Sequence, residues 1–176
     1  MNRVLMVGGF VTVFVAAVGS AQHPLMPPGM THEEHLAQIQ KEAEMKKRGA
    51  VAMAFDQDRT THHFELTASG GFIQVQVKDP TDATNRAAIR AHLKTIAGEF
   101  ASGDFNKPLM THDETPPGVQ TLQRLKSAFT FRFEETEDGG RVRITAHGDR
   151  ALKAVHDFLR YQIHEHATGD SPTVHK

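Results

Sequence analysis

Apolar and polar residues alternate with period two through four short stretches, which predicts strands over His62 to Leu66, Phe72 to Val77, Phe129 to Glu134 and Arg141 to Ala146. Ile73, Val75, Val77, Phe129, Phe131, Phe133, Val142 and Ile144, joined by Phe64 and Leu66, fall on one face. His63, Glu65, Gln74, Gln76, Arg132, Glu134, Arg141 and Arg143 fall on the other. A sheet of this kind has one solvated side and needs helices over its apolar side. Two stretches supply them by switching to the helical period, from about Asp82 to Ala101 (Ile89, Leu93, Ile96, Phe100) and from about Asp149 to Ala167 (Leu152, Val155, Leu159, Ile163).

The same order of elements is written twice. Gly70-Gly71 aligns with Gly139-Gly140, Phe64 with Phe133, Leu93-Lys94 with Leu159-Arg160, and Gly103-Asp104 with Gly169-Asp170. Paired glycines suit the positive φ of a tight hairpin turn, and a glycine after a helix suits a left-handed cap. The expected fold is therefore α+β. Two pseudo-repeated ββα units, about 60–104 and 128–170, form a four-stranded antiparallel sheet with helices on one face. Pro108 to Gly118 connects the units as a loop, and a short helix around Gln120 to Ser127 leads into the second hairpin.

An N-terminal helix precedes them. Thr31 with Glu34 is a capping-box pattern, and the residues to Arg48 are good helix formers, with Leu36, Ile39 and Ala43 as a thin apolar stripe and an end or bend near Gly49. Met1 to Ala21 reads as a signal peptide: Arg3, an apolar run from Val4 to Val18, then Gly19, Ser20 and Ala21. Cleavage fits after Ser20 or after Ala21, leaving about 155 residues, the size of one domain. Residues 22–30, with Pro24, Pro27 and Pro28, form a flexible leader; 31–170 form the single domain; 171–176 form a disordered tail. The protein is thus expected to be periplasmic or secreted, without stable membrane insertion once the signal is removed.

Composition narrows the chemistry. Hydrophobic residues make up 39% of the 176, enough for a core but without the repeated long apolar runs of a channel or transporter. Lys+Arg 20 against Asp+Glu 21 provides no basic field for nucleic acid. The absence of cysteine removes disulfides, thiolate catalysis, Cys-type zinc sites and iron-sulfur ligation. What stands out is 12 histidines against 11 phenylalanines.

Sheet parity points His62 toward the helices and His63 away from them. His92, His156 and His166 lie on or beside the helical stripes. A pseudo-twofold relation between the units would bring His92 near His156 and His166 near His62. His156 and His166 stand about 15 Å apart along one helix and cannot share an ion. Imidazole is a ligand for copper, zinc, iron and nickel, and a thiol-free exported chain must build such a site from His with Asp, Glu or Met. The plain alternative is that each inward histidine is a core residue hydrogen-bonded to its surroundings. His164 with His166 is no chelate, since residues two apart on a helix diverge, and there is no HExxH sequence.

Further candidate ligands are His23, Met26, Met30, His32 and His35 around the leader, and Met110, His112 and Asp113 in the connector. A cut after Ser20 would also expose Ala21-Gln22-His23, a square-planar nitrogen set for Cu(II). For catalysis, an aspartate of Asp56-Gln57-Asp58 could orient His62 as a general base, yet there is no nucleophile elbow and no phosphate loop.

The strings FDQDRTTHHF and FLRYQIHEHATGD resemble a family of small secreted bacterial proteins to which no activity is assigned, over most of the mature chain. The resemblance implies a histidine set at His62, His63, His92, His112, His156 and His166. Some proteins of this kind carry an aspartate carbamoyltransferase label, but this chain is far shorter than that catalytic subunit and lacks its Ser-Thr-Arg-Thr loop. The expected function is binding of a transition metal, copper or zinc, through those six residues, for sequestration, delivery or sensing. The alternative is an interaction domain using Arg132, Arg141 and Arg143 on the polar sheet face, with structural histidines; a metal-dependent hydrolase comes third. The expected partners are a metal ion and a second copy of the chain in a homodimer, with no nucleic acid.

Overall fold

The computed structural model describes residues 28–175. The signal-peptide reading, the Ala21-Gln22-His23 copper terminus, His23, Met26 and most of the leader lie outside the described residues. The protein is a mixed α+β structure with a five-stranded open sheet in the order β3-β4-β2-β1-β5. Helix α1 is His32–Met53. The hairpin β1 (Thr60–Thr67) and β2 (Gly70–Val77) leads to α2 (Ala83–Ser102), then α3 (Asn106–His112) and α4 (Val119–Arg124). The hairpin β3 (Phe129–Thr136) and β4 (Gly139–Ala146) leads to α5 (Asp149–Glu165) and β5 (Val174–His175).

Four antiparallel strands carry the expected apolar face. Phe64, Leu66, Val75, Val77, Val142 and Ile144 are buried there, with Phe131 and Phe133 partly buried. The two hairpins join through β2 and β4, with Ile73 opposite Val142 and Val75 opposite Gly140. The fifth strand is an addition. Leu66 and Thr67 pair in parallel with Val174 and His175, so the tail expected to be disordered closes the edge of β1. Two residues are too short to show any periodicity, which is why the sequence pattern missed them.

The helices cross over. Helix α2, which follows the first hairpin, lies mainly over β3 and β4, whereas α5, which follows the second, lies mainly over β1 and β2. Beneath them Phe158 is 1% exposed, with Phe100 and Phe105 meeting its ring edge-on at 6.1 Å. Phe158→Ala is expected to lower stability by about 3–5 kcal/mol, the range for emptying a buried phenylalanine site, as read from chemical denaturation.

The glycine pairs do a different job from the one expected. Of the four, Gly70 alone has a positive φ, at 148°. The others provide close approach: a Cβ on Gly71 would lie 2.2 Å from the Glu65 carbonyl oxygen, and one on Gly139 2.1 Å from that of Val75. Gly103 is the left-handed cap of α2 with φ 89°, but α5 ends at His166 in a right-handed conformation, ahead of Gly169.

Helix α1 starts as expected, with the Thr31–Glu34 capping box formed in both directions. It then runs through Gly49 to Met53 instead of stopping. The missing side chain at Gly49 admits Gln57, whose Nε2 donates to the Lys46 carbonyl at 2.9 Å. Its buried side is His35, Met45, Gly49 and Met53, while Leu36 is 46% exposed, so the stripe expected at Leu36, Ile39 and Ala43 is rotated. The connector also differs, because its first part is helix α3, with Pro108 tolerated in the first turn.

Candidate functional site

Under α1, where α5 ends over β1, four imidazoles and a cluster of apolar side chains line a partly open cavity of about 70 Å³. His62 comes from β1, His92 from α2, His112 from α3 and His166 from the end of α5, with Met53, Phe64, Ile96, Phe100, Phe158 and Gln162 among the other walls. That volume falls far below the roughly 300 Å³ where pockets for larger ligands begin.

Three of the rings form a row with His166 in the middle. His166 lies 5.5 Å from His62 and 5.1 Å from His112, centroid to centroid. His92 stands apart behind Phe55, whose ring is 5.5 Å from His92 and 5.9 Å from His62. Thus the expected neighbourhood of His62 and His166 is present. The expected pairing of His92 with His156 is not. His156 donates from Nε2 to the carbonyls of Thr67 (2.9 Å) and Gly70 (3.1 Å), fastening α5 to the β1–β2 turn, and it does not line the cavity. The crossing of the helices accounts for this, because α5 lies over the first hairpin and its middle reaches that hairpin's turn.

His63 points to the solvated face, as its parity requires. Its Nδ1 donates to Asp170 Oδ1 at 3.1 Å, and Asp170 Oδ2 accepts the Phe64 N–H at 2.9 Å. The six-residue set therefore divides into four cavity residues, one turn fastener and one surface residue. Asp56 does not orient His62; its carboxylate accepts the Asp58 N–H and caps a 3₁₀ turn. Of the connector trio, Met110 and Asp113 are exposed and His112 is buried. Around the leader, His32 is exposed and His35 is buried on α1.

Negative charge reaches the cavity from its rim rather than from its wall, since Glu165 and Glu114 act on His112 from outside it. No Asp or Glu lines it, and its charged residue, Lys107, is paired with Glu99. Burial pushes His62 down to about 4, helped by the charges His92 and His63 would carry. Burial likewise takes His92 to about 4, with Lys107 adding to it, and His166 to about 3, with His62 and His112 adding to it. His112 is also lowered by burial, against an opposing hydrogen bond from Gln162. All four are neutral at pH 7, the form in which an imidazole nitrogen can bind a metal.

His112 is the most informative of them. It is 6% exposed, and its Nε2 donates to Gln162 Oε1 at 3.0 Å, so the lone pair of the neutral ring sits on Nδ1. That Nδ1 is buried without a hydrogen-bond partner, which is costly for a polar atom. Gln162 is absent from the sequence reading, although Val155, Leu159, Gln162 and His166 follow one helical stripe on which a buried amide is anomalous. His62 and His166 also line an open cleft beside α1, with Glu42, Met45 and Glu165, which connects the cavity wall to solvent.

Among the described residues, no group of three or more His, Asp or Glu side chains is already arranged to hold a metal ion. Among them too, no helix is long and apolar enough to cross a membrane. On the polar sheet face, Arg141 and Arg143 both grip Glu134, at 2.6 and 2.9 Å, and Arg141 stacks on Phe72. Those two guanidiniums share the single carboxylate of Glu134. No known protein family, curated protein or solved structure matches the chain significantly.

Proposed function

We propose that this is an exported protein that binds one transition-metal ion, copper or zinc, through His62, His112 and His166, for sequestration, delivery or sensing. The observation that carries the reading is the buried, unpartnered Nδ1 of His112, with Nε2 fixed by Gln162. A ligating histidine characteristically donates its other N–H to an oxygen in this way. The ring spacing supports it: two imidazoles on one tetrahedral ion, with metal–nitrogen bonds of about 2.0 Å, have centroids roughly 5 Å apart. The separations of 5.1 and 5.5 Å between His166 and its two neighbours are of that size. His92 lies beyond Phe55 and is placed outside the ligand set.

The two ββα units are read as copies of one ancestral unit, of which the first supplies His62 and the second supplies His166. A metal-dependent hydrolase has less support, since the cavity wall provides no carboxylate to act as general base. The arginine face has less support as an anion site, because Glu134 already occupies two of its three guanidiniums.

The test is metal content and affinity of the tag-free mature protein. Near one ion per chain is expected for the wild type. His112→Phe is expected to lose more than 100-fold in affinity while remaining folded, and Gln162→Leu about 10- to 100-fold through loss of the orienting hydrogen bond. A folded wild type that takes up neither copper nor zinc at micromolar concentration overturns the proposal.

A further inference from the structure

Resting on the metal-site reading above, we infer that the ion is monovalent copper and that the thioether of Met53 is one of its ligands. The argument begins with charge. No Asp or Glu lines the cavity, and the charged group in its wall, Lys107, is a cation paired with Glu99. The desolvation cost of an ion rises with the square of its charge, so a divalent ion would meet about four times the penalty of a monovalent one in the same apolar surroundings. Zinc sites commonly offset that penalty with thiolate or carboxylate ligands. Here neither is present in the wall. A buried Cu(II) would also lack the tetragonal nitrogen and oxygen set it prefers, whereas Cu(I) accepts few, soft and neutral ligands.

The cavity provides such a set. Met53 is 8% exposed and lines the same cavity as His62, His112 and His166 from the last turn of α1. The continuation of α1 through Gly49 is what carries Met53 there; a helix ending at Gly49 would have left it in a loop. With these ligands the ion enters as Cu(I) and leaves as Cu(I), so binding involves no electron transfer.

The experiment titrates the mature protein under anaerobic conditions with Cu(I) held by a coloured bicinchoninate chelator, alongside Zn(II) held by a zinc indicator. One Cu(I) per chain is expected, bound at least 100-fold more tightly than Zn(II). Met53→Leu, which conserves volume and keeps the fold, is expected to weaken Cu(I) at least tenfold and leave Zn(II) unchanged, and X-ray absorption should lose its copper–sulfur distance. Tighter binding of Zn(II) than of Cu(I), or Cu(I) binding indifferent to Met53→Leu, overturns this inference while leaving the metal site standing. Uptake of neither ion overturns both.

Discussion

Gly70→Ala is expected to leave no folded protein, the largest effect of any single methyl group in the molecule. Gly70 has φ 148°, outside the range side-chain-bearing residues readily adopt, and an added Cβ would lie 2.0 Å from the Ile144 carbonyl oxygen. That oxygen belongs to the backbone of β4, where Gly70 is opposite Thr145, so it cannot swing aside without parting the two hairpins. The same shift would pull the Gly70 carbonyl from His156 Nε2. A loss above about 5 kcal/mol is expected, against a total of about 5–15 kcal/mol for a domain of this kind. Gly98→Ala is the control: it is exposed on α2 with nothing within 4 Å, and is expected to gain about 0.5–1 kcal/mol. Circular dichroism and limited proteolysis of the two variants decide the matter; a cooperative melt of Gly70→Ala near the wild-type temperature would refute the close contact.

The second large effect is loss of stability in mild acid. His62, His92 and His166 titrate at about 4, 4 and 3 in the folded protein, against an ordinary 6.5 that the unfolded chain retains. Between those values the unfolded chain binds protons that the folded chain refuses. Their contribution is therefore complete above pH 6.5 and is lost progressively as pH falls toward 4. Glu134, held near 2 by Arg143 and Arg141 against an ordinary 4.5, loses its contribution in a lower window, between about 4.5 and 2. Denaturation midpoints measured from pH 7.5 to 4 should fall steadily, and His166→Phe should flatten the slope. A midpoint constant between pH 6.5 and 5 would show that the imidazoles are not desolvated.

The parts of this fold that sequence could reveal are those where one periodicity runs for five or more residues. Strands β1 to β4 and helices α2 and α5 announce themselves in Ile73-Val75-Val77, Phe129-Phe131-Phe133 and the Leu93 and Leu159 stripes. The approach of His62 to His166 followed from the assumed pseudo-twofold relation of the two units, which also gave the pairing of His92 with His156 that the structure lacks. Periodicity identifies a face and not its partner, however, so the crossing of the helices was hidden, and with it the separate fate of His156. Helix α3 was masked by Pro108 and by the turn-rich residues around Pro116-Pro117. Met53 was hidden for a different reason: Gly49 reads as a stop until Gln57, eight residues on, is seen filling the gap its missing side chain leaves. Gln162 was present on the stripe, but a single amide among apolar residues acquires meaning only beside its partner His112.

The crossing of α2 and α5 has a consequence for how the chain reaches its native state. Each hairpin is roofed chiefly by the helix of the other half, so a protein cut in the segment between α2 and β3 would yield two pieces, each with a bare apolar sheet face. Neither half covers its own sheet without the other. The two pieces are instead complementary, in the manner of a split reporter, and the histidine cavity, with His62 in one piece and His166 in the other, comes into being only when they meet.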